Sequence, residues 1–355
     1  MSIHRYDVVV LGAGPAGEAA AGLLAEAGLD TAIVEQHLVA GECSYYACMP
    51  SKALLRPAAL LAEARRVPGA SAAVTGDLDP EAVLRRRDEV IHHGDDSGQL
   101  PWLEDRGIQL YRGHGLIVGD REVRVGEDVL VAERAVIVAT GSAAAIPPIE
   151  GLAELDVWNN RQGTTADRVP ASLMILGGGP VGCELAQAWA SLGSRVTLIE
   201  SAPRLLLKEE PFAGEQVEAA LRDRFGVRVA TGAKVTAARG RGRGQESDGA
   251  PVLELEDGGT VTAERLLVAT GRMPRSDMIG LESVGIESGG YLETDDRMRI
   301  GGTGWLYAIG DVNGRSLLTH AGKYQAWVAA QAILGREARP LAEEAGMPRV
   351  TLTDP

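Results

Sequence analysis

The chain contains the same unit twice. Residues 11 to 35 read LGAGPAGEAAAGLLAEAGLDTAIVE, and residues 176 to 200 read LGGGPVGCELAQAWASLGSRVTLIE. The leucine, the outer glycines, the proline, a later glycine and the final glutamate recur in register. A second echo follows each, AERAVIVATG at 132 to 141 and AERLLVATG at 263 to 271. In the first copy a β-rich run, Asp7 to Leu11, leads into Gly12, Gly14 and Gly17. An alanine-rich helical stretch, Gly28 and the strand TAIVE follow, closing on Glu35. The second copy runs from SLMIL through Gly177, Gly179 and Gly182 to Glu200. In such a unit the first glycine permits the tight turn, the second lets backbone approach a pyrophosphate, and the third lets helix and strand pack closely. The helix start, Pro15-Ala16 or Pro180-Val181, presents N–H groups and a positive dipole end to phosphate. The closing glutamate accepts from ribose hydroxyls. A single G-x-G-x-x-G could be a turn that merely needs glycines; two copies with strand, helix and acid in order point to two dinucleotides.

Bulk properties narrow the rest. The 355 residues, 45% hydrophobic, are enough for two domains with separate cores. Glycine, at 45 residues, is roughly twice average usage. A net charge of −14 leaves no basic field to neutralise phosphates, so nucleic acid is not an expected partner. Three cysteines in this length are not a secreted disulfide framework. No run approaches the ~20 apolar residues of a membrane helix, and the N-terminus enters a strand at once, without a signal peptide. The expectation is a cytoplasmic protein with no membrane partner.

Between the copies, residues 41 to 66 form a cysteine-containing segment and helix. Residues 81 to 106 read as helical and charged, and LYRGHGLIVG and REVRVGEDVLVAERAVIVATG as a strand meander returning to the sheet. AIPPIEG is a Pro-rich crossover and a domain boundary. ARGRGRGQESDGAP reads as a solvated hairpin tip. WLYAIGDVNG gives a strand ending at Gly310-Asp311, followed by an amphipathic helix from LTHAGKYQAWVAAQAILG.

Cys43 and Cys48 lie in GECSYYACMPSKALLRP. Two cysteines so spaced at a helix start can meet if the first turn is distorted, since a disulfide needs Cα atoms within about 7 Å. A helix N-terminus lowers a thiol pKa, and Pro50 suits a helix opening. Two unrelated buried thiols remain the alternative. Zinc is a poor one, because no second Cys or His pair stands at metal-ligand spacing, and no metal is expected.

The motifs GAGPAG, C-x4-C-x-P-S-K, GGGPVGCELA, ATGR and YAIGD, in this order, resemble the class I pyridine nucleotide–disulfide oxidoreductases. That group includes dihydrolipoamide dehydrogenase, glutathione reductase and mercuric reductase. The resemblance implies an α/β fold of two Rossmann-like, three-layer ββα domains, the NAD(P) domain inserted in the FAD domain. FAD would be bound by residues 1–148 plus 273–340 and NAD(P) by 149–272, with 341–355 opening an interface domain. It implies FAD and NAD as cofactors, with NADP as an alternative, and a small-molecule or protein disulfide or dithiol as substrate. Cys43 would be the interchange thiol, Cys48 the charge-transfer thiol against the flavin, and Lys52 the lysine near flavin N5 with Glu184 as its carboxylate partner. Asp311 would bind the ribityl chain. The helix start at Leu318, Thr319, His320 and Ala321 would face the flavin pyrimidine edge, with His320 packing or hydrogen bonding rather than doing acid–base work. Cofactor contacts would extend to Gly41, Glu42, Gly115, Ala139, Thr140, Gly141, Gly271, Arg272 and Gly310. Electrons would run from NADH through FAD to Cys48 and out through Cys43, or in reverse. Glu200 favours NADH by repelling a 2′-phosphate, while Arg204 close behind it could accommodate one.

The sequence also departs from that family. The family is homodimeric through a C-terminal domain that supplies a His–Glu pair to the partner. This chain stops at MPRVTLTDP, which resembles only the opening of that domain. His92 and His93 are expected at the surface, and Cys183 as a small core residue. Tyr45 and Tyr46 between the cysteines are unusual, and packing is the expected role. Three alternatives stay open: a diaphorase that uses FAD without the thiols, a catalytically impaired flavin-binding fragment, and a cofactor-free Rossmann-like protein. Mercuric reduction is weaker, because no C-terminal cysteine pair is present.

Overall fold

A computed structural model of the chain describes residues 2–240, 242, 249–338 and 346–354. The expected hairpin tip lies largely outside the described residues, as does part of the stretch 341–355. Two compact units form. The first gathers Met1–Cys43, Gly94–Ala143 and Met273–Arg349; the second gathers Ser44–His93, Ala144–Arg272 and Val350–Pro355.

In the first unit, five parallel strands stand in the order Gln109–Arg112, Thr31–Glu35, Ser2–Leu11, Asp128–Val138 and Leu306–Ala308. Asp128–Val138 also ends an antiparallel meander with Gly115–Gly119 and Glu122–Val125. The first strand ends in an unbroken apolar run because both its faces are covered, as a parallel sheet requires. Val8 and Val10 join Ala20, Leu24, Ala326 and Ala329 of the helices Pro15–Glu26 and Thr319–Ile333. Val9 and Leu11 point the other way, into Ile117, Val123, Leu130 and Trp305. The sheet is thus the middle of three layers.

The second unit repeats the order: Arg228–Ala230, Arg195–Ile199, Ser172–Leu176 and Arg265–Val268, all parallel. Its meander, Val235–Arg239, Val252–Leu255 and Thr260–Thr262, forms a separate sheet. Leu173 and Ile175 pack with Leu185 and Trp189 of the helix Pro180–Ser191 and with Leu54 and Leu55 of the helix Cys48–Arg66. Met174 and Leu176 pack with Leu253 and Val261 of the meander. In both units the first strand is central and the next strand lies beside it, which puts the turn after the first strand at the carboxyl edge of the sheet, where ligands of such folds bind. Among the described residues, no helix is long and apolar enough to cross a membrane.

Candidate active site

Both glycine turns take the same shape. Gly12 has φ +101°, and a Cβ there would lie 2.4 Å from the Ala139 carbonyl oxygen; a Cβ on Gly17 would lie 1.9 Å from the Gly12 oxygen. Gly177 has φ +113° with a Cβ 2.4 Å from the Ala269 oxygen, and a Cβ on Gly182 would lie 1.9 Å from the Gly177 oxygen. Those four glycines are therefore demanded by the protein's own backbone. The middle ones are not. Gly14 and Gly179 have φ −71° and −76°, which any residue adopts. A Cβ on either would meet nothing within 4 Å among the described residues. Their missing side chains keep the front of a helix N-terminus clear, as a pyrophosphate needs. By this test the residues present fit FAD and NAD(P). Gly41, at φ +58°, is held so close that a Cβ would lie 2.8 Å from Gly14 Cα, so the cysteine segment begins against the first turn.

The closing acids are anchored alike. Ala13 N–H donates to Glu35 Oε2 at 2.8 Å and His37 N–H to Oε1 at 2.7 Å. Gly178 N–H donates to Glu200 Oε2 at 2.6 Å and Ala202 N–H to Oε1 at 2.6 Å. The two A-T-G segments match as well. Thr140 Oγ1 donates to the Arg275 carbonyl at 2.6 Å and Arg275 N–H to Gly141 O; Thr270 Oγ1 donates to the Ala145 carbonyl at 3.1 Å and Ala145 N–H to Gly271 O. Gly141 and Gly271 have φ +72° and +145°. Arg204 does not present itself to a phosphate. Its guanidinium donates to the carbonyls of Leu205, Leu206, Leu207 and Glu209 at 2.9–3.3 Å and so holds that loop. Leu206 N–H in turn donates to Gly178 O at 2.9 Å, tying the loop to the second turn.

The cysteine segment forms two helices rather than one distorted one. Cys43 lies with Glu42 in the short helix Gly41–Tyr45, and Cys48 opens Cys48–Arg66, with the break at Ala47 (φ −136°, ψ −94°). Both cysteines are half-buried. Pro50 sits in the first turn, where its missing N–H has no intrahelical partner to lose. Tyr45 is buried, while Tyr46 is fixed by its neighbours: its carbonyl accepts from Asn160 Nδ2 at 2.9 Å and Thr164 Oγ1 at 3.1 Å, and the Arg161 guanidinium lies 4.5 Å from its ring centre. Arg272 donates to Asn160 Oδ1 at 3.2 Å.

Glu184 stands in the second turn of the helix Pro180–Ser191. Ser51 Oγ donates to its Oε2 at 3.3 Å and Leu352 N–H to its Oε1 at 2.9 Å. Burial pushes its carboxyl above the usual range, opposed by these two hydrogen bonds and by the charge of Lys52. Lys52 itself is exposed and acts on Glu184 through charge; the direct partners, Ser51 and Leu352, are not the ones the sequence nominates. Cys183 is a core residue as expected, fully buried, with burial and the neighbouring Glu184 charge pushing its thiol up to about 12.

In the first unit, Ser142 Oγ donates to Asp311 Oδ2 at 2.5 Å. Gly310 N–H donates to Gln325 Oε1 at 2.7 Å, and a Cβ on Gly310 would press on Ala16 at 3.2 Å. These contacts set the Gly310-Asp311 turn beside the first fingerprint helix. Thr319, His320 and Ala321 open the helix Thr319–Ile333 after Leu318, and His320 Nε2 donates to the Pro348 carbonyl at 2.8 Å. Gly115 has a packing reason of its own, since a Cβ would lie 2.6 Å from Leu11 Cδ2. His92 and His93 are exposed in a left-handed turn at φ +50° and +54°.

Residues 6–333 match the family model described as pyridine nucleotide-disulphide oxidoreductase. The chain is 33% identical to the dihydrolipoyl dehydrogenase of Chlorobaculum tepidum, over 99% of this chain and 75% of that protein. It is 28% identical to the mercuric reductase of Staphylococcus aureus, over 99% of this chain and 63% of that protein. Its fold is similar to that of the HOCl-induced flavoprotein disulfide reductase RclA of Escherichia coli, solved as a Cu(II) complex. The TM-score is 0.80 at 25% identity, over 93% of this chain and 71% of that one.

Proposed function

Since the chain belongs to the pyridine nucleotide-disulphide oxidoreductase family, we propose a division of labour for its residues. The protein is an FAD-dependent NAD(P)H oxidoreductase acting on disulfide or dithiol substrates. The observation that carries the reading is the pair of cradles cleared at Gly14 and Gly179, joined in one chain to a C-x4-C segment that starts against the first cradle. FAD falls to residues 1–148 with 273–340, NAD(P) to 149–272, and 341–355 open an interface domain. A small-molecule or protein disulfide in the cytoplasm is the partner this reading expects.

When bound, FAD supplies the two-electron relay between nicotinamide and the thiol pair. Glu35 and Asp311 would receive its ribose and ribityl hydroxyls, and the helix start at Leu318 to Ala321 would face its pyrimidine edge. Cys48 is the thiol on the flavin side and Cys43 the outer one. The Cys43 thiolate attacks one sulfur of the substrate disulfide and expels the first thiol. Cys48 then attacks the Cys43 sulfur, releases the second thiol and closes the Cys43–Cys48 disulfide. Two electrons and two protons have then passed to the substrate. Lys52 supplies positive charge near the reduced flavin, with Glu184 as its counter-charge. NADH is the preferred reductant on this reading, because the carboxylate of Glu200, held by two backbone amides, would repel a 2′-phosphate, and the Arg204 guanidinium is occupied by four carbonyls.

Cys43→Ser tests the reading. Disulfide reduction is expected to fall below detection while NADH-driven dye reduction by the flavin continues. Disulfide turnover unchanged in the variant would overturn the assignment, as would a wild type that reduces dyes and never a disulfide.

A further inference from the structure

The segment Val350–Asp354 belongs to the second unit and lies against the helix Pro180–Ser191. Its N–H groups at alternate residues reach side chains one helical turn apart: Leu352 N–H meets Glu184 Oε1 at 2.9 Å, and Asp354 N–H meets Gln187 Oε1 at 2.7 Å. Gln187 is 1% exposed, so its amide is a fixed anchor rather than a passing contact. The Leu352 side chain packs against the core of the second unit. The Asp354 carboxylate closes the clamp, accepting from Arg66 at the end of the cysteine helix at 2.8 Å and from Arg224 at 3.4 Å.

On the opposite side, Glu184 meets the start of the cysteine helix. Ser51 Oγ lies 3.3 Å from Glu184 Oε2 and 3.4 Å from the carbonyl of Cys48, so a single hydroxyl stands between the carboxylate and the backbone of the redox cysteine. We propose that the 350–354 segment is a positioning clamp for Glu184, with Leu352 N–H holding the carboxylate turned toward Ser51 at the first turn of the cysteine helix. Its importance for the redox centre rests on the functional reading above; the clamp itself is a property of this chain's own residues. The charged and titratable groups facing Glu184 are Lys52 from the cysteine helix and Cys183 on its own helix, while Asp354 on the clamp is neutralised by Arg66 and Arg224. With burial opposing the charged form, the Leu352 N–H is the largest of the contributions that support it.

Two substitutions at one position separate the hydrogen bond from the packing. Leu352→Pro removes the N–H, and Leu352→Ala keeps it while shortening the side chain. The readout is the titration of the Glu184 carboxyl carbon by NMR, assigned by its loss in Glu184→Gln, which needs neither bound flavin nor turnover. Leu352→Pro is expected to raise the proton affinity of Glu184 about tenfold, one pH unit, and Leu352→Ala to leave it within about twofold. Asp354→Ala, which frees the end of the clamp and leaves the Leu352 N–H in place, is expected to fall between them and guards against a misfolded proline variant. In the FAD-loaded protein reduced with NADH, the pH midpoint of the long-wavelength thiolate–flavin band should move in Leu352→Pro and stay in Leu352→Ala. Equal shifts in Leu352→Pro and Leu352→Ala would reduce the segment to packing, and no shift in either Leu352→Pro or Asp354→Ala would overturn the clamp. A carboxyl titration that moves in Leu352→Pro, together with a wild type that shows no long-wavelength band, would count against the functional reading and leave the clamp standing.

Discussion

The two fingerprint regions share a skeleton and differ in what is built behind it. At the turn they superpose contact for contact: the same two glycines demanded by backbone, the same cleared middle position, and the same pair of amides on the closing acid. Behind the turn they part. The first helix, Pro15–Glu26, is lined with Ala20, Ala21 and Gly22, and packs on the helix Thr319–Ile333 and on Trp102, 2.7 Å from where a Gly22 Cβ would stand. The second helix, Pro180–Ser191, carries Glu184, bonded to Ser51 and Leu352, Gln187, bonded to Asp354, and Trp189, bonded to Gly163. The chain's own backbone constrains the turn in both copies, whereas the helix behind it carries polar side chains reaching other segments only in the second copy.

That contrast can be broken from the glycines outward. Gly17→Ala and Gly182→Ala drive a methyl into a carbonyl oxygen in both copies. Each should lower stability by about 3 kcal/mol or more, and thermal melts of the purified variants check it. If Gly182→Ala melts like the wild type, the two turns are not equivalent.

The residue after the third glycine sharpens the difference, being Glu18 in one copy and Cys183 in the other. Burial raises the Glu18 carboxyl to about 7, with Lys323 opposing and Glu35 adding. Because the folded state then holds the proton more tightly than the unfolded state, stability should fall as pH rises from about 4.5 to about 7. Glu18→Gln should remove that slope and stabilise the protein at pH 8 by on the order of 2 kcal/mol, measured by denaturant unfolding at pH 6 and pH 8. A slope that survives the substitution belongs to some other group.

Gly14→Ala and Gly179→Ala should do the reverse of the outer glycines. Stability is expected to stay within about 0.5 kcal/mol, while affinity drops about tenfold or more, for FAD in the first variant and NADH in the second. Titration of each variant with both nucleotides would show at once whether the copies are assigned the right way round. The smallest expected effect belongs to the acids. Glu200→Ala should narrow the NADH over NADPH preference by about fivefold to tenfold, whereas Glu35→Ala should weaken FAD without touching that preference.

The fold was legible because duplication turned a weak motif into a strong one, and because Val8 to Leu11 and Leu173 to Leu176 are apolar at every position, as covered parallel strands must be. The turn glycines and their acids were legible for the same reason. The partner of Glu184 was not. Leu352 reaches it through a backbone N–H, which every residue but proline possesses, across 168 positions of sequence. Ser51 lies inside a motif whose cysteines and lysine carry the recognisable chemistry, and a serine hydroxyl has no signature of its own. Arg204 looked available to a phosphate because a sequence shows its charge and not the four carbonyls its loop turns toward it.

The doubly held carboxylates of Glu35 and Glu200 have a consequence for recognition. A free glutamate would lose rotamer entropy on meeting a ribose, and that loss would come out of the affinity. Here backbone N–H groups already hold both carboxylate oxygens, so on the proposed reading the ribose would meet a preorganised acceptor.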